Sequence, residues 1–233
     1  MHARTLNDIT GDSFIRQNHI TLPRTCAGAA WKVRSSHLCV IAVLMFCLAS
    51  AGTCLAQSTP MHEWNLRPQN VAAGNVKAAI ESADGMVIGN VKHSSTTPHG
   101  LMFDGNSKAR HQVSITDNIA TIALPKQDIS VEAWVLVDKP LEWGGICSLI
   151  QDNGDFERGW ILGYRKSSFC FGIASEGRRK LTYLTSNQSF EFGFWYHVVG
   201  TYDGAVMNLY VDGKRTATSK EQSGNIAYPP SAK

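Results

Sequence analysis

From residue 57 onward, hydrophobic positions come in short runs that are separated by Gly, Asn, Asp and Ser. Most runs are rich in Val, Ile, Tyr, Phe, Trp and Thr, which suit the pleated surface of a β-sheet. No run keeps a helical period over eleven or more positions, and only the Ala-rich stretch 71–82 favours a helix. The predicted strands are 86–91, 100–103, 111–115, 130–137, 145–151, 160–164, 168–174, 180–185, 196–202, 205–211 and 214–219.

The strongest local pattern is a meander over 194–219 with two Asp-Gly pairs, 203–204 and 212–213. Asp-Gly tolerates the positive φ angles of a type I′ turn, whose twist matches that of the flanking strands. Between the pairs, Leu209 and Val211 share one strand face and Tyr210 takes the other, which is typical of a half-buried antiparallel strand. Many short strands without intervening helices predict an all-β, antiparallel two-sheet sandwich.

The first 56 residues differ from the rest of the chain. An uncharged apolar run at 38–49 follows Lys32 and Arg34, and small residues lead to Ala56, the order found in a secretory signal peptide. We therefore expect a signal peptide over 32–56, with an uncleaved anchor that also uses 50–56 as the alternative. Residues 1–31 are polar and irregular, as expected from a start placed too far upstream, and predict little stable structure. A lead-in segment would span 57–99 and the sandwich 100–233.

Charge and cysteine content agree with export. Residues 1–56 carry five Lys/Arg against two Asp/Glu, whereas residues 57–233 carry seventeen of each. The neutral body gives no basic surface for nucleic acid and none for an anionic membrane, so we expect no stable membrane insertion after cleavage. Past residue 56 only Cys147 and Cys170 remain, and they predict either a disulfide or two buried thiols on neighbouring strands.

Three segments together resemble the concanavalin A-like lectin/glucanase superfamily, in its laminin G-like branch of the bacterial secreted type. Residues 100–106 (GLMFDGN) are similar to its entry strand, and residues 130–135 (SVEAWV) to its central strand. Residues 195–204 (WYHVVGTYDG) with 209–213 (LYVDG) are similar to its late meander. The resemblance implies a jelly-roll of two antiparallel sheets. It also implies a final closing strand, which we expect to be missing because the chain stops at residue 233.

Because some members of the superfamily hydrolyse glycans, the resemblance raises the question of whether this chain is catalytic. Glycan hydrolysis needs two carboxyl groups flanking the scissile bond, which on a strand means acids at i, i+2 or i+4. No such run occurs, so we expect no enzyme activity. Glu132 and His197 are both interpreted as structural strand residues.

Candidate ligand-binding residues are few. Trp143 lies in a turn-rich stretch and could stack on a sugar ring or simply pack. Asp152, Asn153 and Asp155 could contact sugar hydroxyls or form a solvated turn. The resemblance also makes a calcium site plausible. Its oxygen ligands would come from Asp104 and Asn106, or from the three residues at 152–155.

The sequence thus predicts a secreted, periplasmic or cell-surface recognition module that binds a glycan or an extracellular protein through rim loops. The alternative is an accessory domain of a larger secreted enzyme whose catalytic part lies elsewhere.

Overall fold

The computed structural model of the chain describes residues 14–23, 60–80, 83–94, 100–104, 111–154 and 156–230, with the backbone alone described for 14–23. The predicted signal segment 32–56 lies outside the described residues. The strands are β1 (Phe14–Pro23), β2 (Pro60–Asn65), β3 (Val71–Ala72), β4 (Asn75–Val76), β5 (Gly85–Ile88), β6 (Val91–His93), β7 (Leu101–Asp104), β8 (Gln112–Ser114), β9 (Asp128–Val137), β10 (Trp143–Asp152), β11 (Glu157–Arg165), β12 (Ser168–Ala174), β13 (Leu181–Thr185), β14 (Trp195–Asp203), β15 (Met207–Val211) and β16 (Lys214–Ser219).

These strands form three antiparallel sheets. The large sheet has the order β16-β15-β14-β9-β1-β7-β6, with β2 paired to β1. A four-stranded sheet runs β10-β11-β12-β13, and a small sheet runs β3-β4-β5-β8. No α-helix occurs in the described part of the chain, and no helix there is long and apolar enough to cross a membrane. The predicted all-β sandwich is confirmed.

The main core lies between the large sheet and the four-stranded sheet. Alternate residues of β9 point into it and are fully buried, including Val131, Ala133 and Val135. The two sheets pack tightly at Gly200 of β14, where an added Cβ would lie 2.4 Å from the ring of Phe171. This alternation of buried and outward residues is the physical basis of the strand pattern that the sequence predicts.

A second, smaller core lies under the small sheet. It is built from Trp64, Leu66, Val76 and Leu101, so the residues before 100 pack as part of the same body. The indole nitrogen of Trp64 donates a hydrogen bond to the carbonyl of Ala83 at 2.9 Å. The partition of the chain at residue 99 stays a prediction.

The helix predicted over 71–82 is wrong. A short 3-10 helix spans Pro68–Asn70, and β3 and β4 then form a hairpin. The two residues between these strands, Ala73 and Gly74, have φ angles of +49° and +79°. Two successive positive φ angles make a tight hairpin turn, which a helical interpretation of the Ala-rich composition overlooks.

The expectation of little stable structure over 1–31 also needs correction, because β1 occupies residues 14–23 of the large sheet. It pairs with β9 on one side and with β7 and β2 on the other. The pairing is made by backbone groups of distant strands, so no local periodicity announces it.

The two Asp-Gly turns differ from each other. At Asp212-Gly213 both φ angles are positive, +49° and +75°, as a type I′ turn requires. At the other pair only Gly204 has a positive φ, and the carboxylate of Asp203 accepts hydrogen bonds from the backbone N–H groups of Ala205 and Val206 instead. The type I′ interpretation is therefore wrong for 203–204.

After β16 the chain returns to the four-stranded sheet. Gln222 is fully buried, and its side-chain oxygen accepts hydrogen bonds from the backbone and hydroxyl of Ser175. Ile226 bridges to Ser175, and the hydroxyl of Tyr202 donates to the carbonyl of Gly224 at 2.9 Å. This segment ties the two main sheets together at one end. The expected absence of a final strand stays a prediction.

Candidate functional site

The outward face of the four-stranded sheet brings together several aromatic and charged side chains. Strand pairing places Tyr183 of β13, Gly172 of β12 and Ile161 of β11 in one cross-strand row. A Cβ on Gly172 would lie 3.0 Å from the ring of Tyr183 and 2.9 Å from Ile161. The missing side chain at Gly172 therefore lets the tyrosine ring lie across the sheet instead of standing upright.

Tyr183 reaches the far edge strand β10 from this position. Its ring lies 5.1 Å from the indole of Trp143, at an angle of 58°. Its hydroxyl donates a hydrogen bond of 2.6 Å to the carboxylate of Asp152. Burial raises the pKa of Tyr183, and the hydrogen bond to Asp152 raises it further, so the phenol keeps its proton.

This arrangement requires β10 to bend towards the face. Trp143 and Asp152 are the two ends of β10, and nine residues of straight strand advance about 30 Å. Both side chains nevertheless contact the same tyrosine. A register shift between Gly145 and Cys147 marks a β-bulge in this strand, and bulges bend the strand that carries them. The outward face is therefore concave.

The indole of Trp143 is half-buried rather than free. The guanidinium of Arg165, its cross-strand partner, lies 4.8 Å from the ring centroid. Arg165 in turn contacts the carboxylate of Glu142 at 3.5 Å. The stretch predicted to be a rim loop at Trp143 is in fact the start of β10, because cross-strand pairing with Arg165 fixes it in the sheet. The packing alternative for Trp143 is realised, with part of the ring still exposed.

The three ligand candidates at 152–155 do not all lie on the outward face. Asn153 follows β10 in a turn, where its side-chain oxygen accepts a hydrogen bond of 2.7 Å from the backbone of Phe156. That is the turn role that the sequence left open as an alternative. Asp155 lies outside the described residues. Of the three acids and amides proposed at 152–155, the structure thus places Asp152 beside the aromatic residues.

The calcium candidates remain untested. Asp104 ends β7, and Asn106 lies outside the described residues. Within the described part of the chain, no group of three His, Cys, Asp or Glu side chains converges as a metal site would require. Calcium binding therefore stays a prediction.

Of the two alternatives for the cysteines, the structure has free thiols rather than a disulfide, although their strands are not neighbours as that alternative expected. Cys147 lies on β10 and Cys170 on β12, with β11 between them, so their strands are about 10 Å apart. Cys147 packs against the main core, whereas Cys170 alternates with the core residues Phe169 and Phe171 and lies on the outward side. Burial raises the pKa of each thiol to about 12.

The sequence did not single out Tyr183 or Arg165. Tyr183 reads as an ordinary strand residue, and the signal that could have identified it is the glycine at 172 on the neighbouring predicted strand. Arg165 lies at the end of its strand, where a charged residue is unremarkable.

The outward face of the large sheet carries a second aromatic group. The ring of His197 stacks on Trp134 at 5.1 Å, and its Nε2 atom lies 3.1 Å from the carboxylate of Glu132. Trp134 is 43% exposed. The three residues occupy neighbouring positions of β9 and β14, in which His197 pairs with Trp134. Glu132 and His197 thus make the structural contacts that the sequence predicted.

A cavity of about 210 Å³ lies away from both faces, at the end of the sandwich. Phe169, Phe190 and Tyr196 supply its apolar lining, and Asp212 and Lys214 supply its charges. It contains none of the ligand-binding residues proposed from the sequence.

Comparison with known proteins agrees with this architecture. A family model of the concanavalin A-like lectin/glucanases superfamily, of the laminin G type, matches residues 105–231. Pappalysin-1 of Mus musculus is 28% identical over 121 residues, which are 47% of this chain and 8% of that protein. Pappalysin-1 of Homo sapiens is 27% identical over 121 residues, with 47% and 7% covered. The chain thus spans less than a tenth of the length of these curated relatives. With more than half of its residues matched by the family model, the chain belongs to the concanavalin A-like lectin/glucanases superfamily.

Proposed function

We propose that this chain is an exported, non-catalytic recognition module that binds carbohydrate on the outward face of the four-stranded sheet. The observation that carries the proposal is the contact of Tyr183 with both Trp143 and Asp152. It joins two aromatic rings and a carboxylate on one concave surface. Laminin G-like domains are generally non-catalytic extracellular modules, which agrees with this function.

The chemistry of the face suits a sugar better than a purely apolar ligand. The aromatic rings offer apolar surface to the C–H groups of a pyranose, and Asp152 and Arg165 offer an acceptor and donors for its hydroxyl groups. Because these side chains stand on strands, the surface is held by the hydrogen-bonded sheet rather than by mobile loops. This moves the expected binding site from the rim loops to the sheet face.

Affinity electrophoresis or column retention on a panel of β-glucans tests the proposal. Trp143→Ala should weaken retention roughly tenfold, because it removes one aromatic wall of the face. Trp134→Ala is the matched control, since it removes an exposed indole from the opposite side of the sandwich. Equal retention of the wild type and Trp143→Ala would contradict the proposed site, and running each column with and without calcium tests the metal.

A second candidate is an accessory domain of a larger secreted enzyme. It is favoured by the match to 7–8% of the length of pappalysin-1, a far longer protein. Mass spectrometry of the protein secreted by its native source distinguishes the two, because an accessory domain would be found within a polypeptide larger than 25.5 kDa. A mature N-terminus at Gln57 would support export, and turnover of any glucan would revive a hydrolase.

A further inference from the structure

We propose that the cavity at the end of the sandwich binds an α-amino acid with an apolar side chain, in its zwitterionic form. The cavity has a volume of about 210 Å³ and is lined by residues of β12, β14, β15 and β16 and of the loop that follows β13. The proposal does not rest on the carbohydrate face, because the cavity shares no lining residue with Trp143, Asp152 or Tyr183.

The inner part of the cavity is apolar. Phe169 and Phe190, which form its floor, are only 1% and 5% exposed. Their ring centroids lie 4.5 Å apart, so the two rings make one continuous apolar surface. Ser186 is buried beside them, but its hydroxyl already donates to the carbonyl of Gln188 at 2.9 Å. A ligand group that reaches the floor therefore meets hydrocarbon rather than free hydrogen-bonding groups.

The outer part of the cavity carries two opposite charges. Asp212 and Lys214 are exposed, and both belong to the hairpin turn between β15 and β16. Neither side chain forms an ion pair with any described residue, including the other of the two. Opposite charges that do not neutralise each other are complementary to a ligand that carries both an ammonium and a carboxylate group.

The carboxylate of Asp212 is fixed in position and keeps one oxygen free. Its Oδ1 atom accepts a hydrogen bond of 2.8 Å from the backbone N–H of His197, whose carbonyl accepts the N–H of Asp212 at 2.8 Å. In the part of the chain that the structure describes, no hydrogen bond reaches Oδ2. A carboxylate held in this way is a preorganised acceptor for an ammonium group.

Tyr196 adds a hydrogen-bond donor to the cavity wall. Its phenol oxygen accepts a hydrogen bond of 2.9 Å from the backbone N–H of Glu191. The phenol hydrogen itself is donated to no acceptor among the described residues. The phenol O–H and the ammonium of Lys214 together supply the donors that a carboxylate ligand requires.

The separation of apolar floor and charged mouth decides between ligand classes. A sugar carries hydroxyl groups around its whole ring, and those turned towards Phe169 and Phe190 would lose their hydrogen bonds to water without replacement. An apolar amino acid carries its polar groups at one end, where they can stay at the mouth. The volume of 210 Å³ is that of about seven water molecules in the liquid, which suits one such molecule rather than a peptide chain.

Isothermal titration calorimetry of the full chain with L-leucine, L-valine and L-phenylalanine tests the proposal. At least one of them should bind with a Kd below about 1 mM. The N-acetyl and amide derivatives of that amino acid should bind at least about tenfold more weakly, because each lacks one of the two charges. Absence of binding by all three amino acids, or equal binding of either derivative, would overturn the zwitterion site.

Two variants test the charged mouth. Lys214→Met and Asp212→Asn should each weaken binding by about tenfold or more. Asn keeps an oxygen for the N–H of His197 and tolerates the φ of +49° at this position, so the turn is preserved. Arg215→Met and Asp203→Asn are the matched controls and should leave the Kd unchanged, because neither residue lines the cavity. Equal weakening by variants and controls would contradict the assignment.

Amide chemical shifts locate the ligand in the same protein. Saturating amino acid should shift the amides of Gln188, Ser189 and Lys214, which line the cavity. Shifts confined to the strands around Tyr183 would place the ligand on the carbohydrate face and overturn the cavity site. Loss of β-glucan retention in Trp143→Ala is measured separately, so failure of this proposal is distinguishable from failure of the proposed function.

Discussion

The two outward faces of the sandwich carry similar residue types but are organised differently. On the large sheet, Trp134, His197 and Glu132 are immediate neighbours on two adjacent strands. On the four-stranded sheet, Tyr183 connects β13 with both ends of β10 across two intervening strands. The first group follows from strand register alone, whereas the second requires a curved sheet.

The difference appears in what each face shields from water. Trp134 is 43% exposed on the large sheet. On the four-stranded sheet, Cys170 points outward yet is only 1% exposed. Burial raises the pKa of its thiol, and the nearby charge of Arg165 offsets only part of that rise. The ring of Tyr183 therefore shields the outward side of the four-stranded sheet from water, whereas the large sheet exposes its aromatic group to solvent.

The largest expected effect is a loss of stability at alkaline pH, which tests how well each of the two thiols is shielded from water. Burial raises the pKa of both thiols to about 12, so thiolates form in the unfolded chain from about pH 9, well before they form in the folded one. Stability is therefore lost as pH rises from 9 towards 12, by at most about 1.4 kcal/mol per pH unit and thiol.

Urea unfolding at several pH values checks this expectation. If Tyr183 keeps water from Cys170, Cys170→Ala should reduce the loss of stability between pH 9 and 12 about as much as Cys147→Ala, which removes the core-facing thiol. A flattening by Cys147→Ala alone would show that the outward layer is permeable.

Filling the space beneath Tyr183 should have the next largest effect. Gly172→Ala places a Cβ about 3.0 Å from the Tyr183 ring and should destabilise the domain by about 1–3 kcal/mol. Gly145→Ala, on β10 at the same face of the sheet, is the matched control, because its Cβ would meet only Ile161 at 3.8 Å. Equal urea midpoints for the two variants would contradict the close approach of the tyrosine.

Removing one polar contact from each face should have the smallest effects. Tyr183→Phe loses the hydrogen bond to Asp152 and should cost about 1 kcal/mol in the free energy of unfolding. Glu132→Gln alters a partly solvated contact with the ring of His197 and should cost less than about 0.5 kcal/mol. Chemical denaturation of both variants in one buffer checks the order, and a larger loss for Glu132→Gln would reverse the comparison.

Strand positions were predictable because burial on one side of a sheet leaves a period of two in the sequence. The strand boundaries at 168–174 and 214–219 agree with those of β12 and β16. The hairpin at Ala73-Gly74 and the strand at 14–23 were not predictable in this way. Ala composition favours a helix locally, and the strands that pair with β1 are distant in the chain, since β2 begins at Pro60 and β9 at Asp128.

Part of the candidate site could also be predicted from the sequence. Trp143 and Asp152 were selected for their chemistry, and both lie on the proposed face. Tyr183 was missed, because its importance depends on the absence of a side chain at Gly172 on another strand. The cysteine pairing was undecided for the same reason, since the number of strands between two cysteines depends on sheet order.

The sequence by itself determined the fold class, the order of most strands and the chemical types available to the surface. These follow from local alternation and from a motif set that runs in the order typical of the family. The tertiary structure alone decided that β10 bends, that Tyr183 crosses the sheet to reach Trp143 and Asp152, and that β1 occupies the edge of β9. Bending, crossing and strand addition each depend on contacts between residues far apart in the chain, which no local pattern encodes.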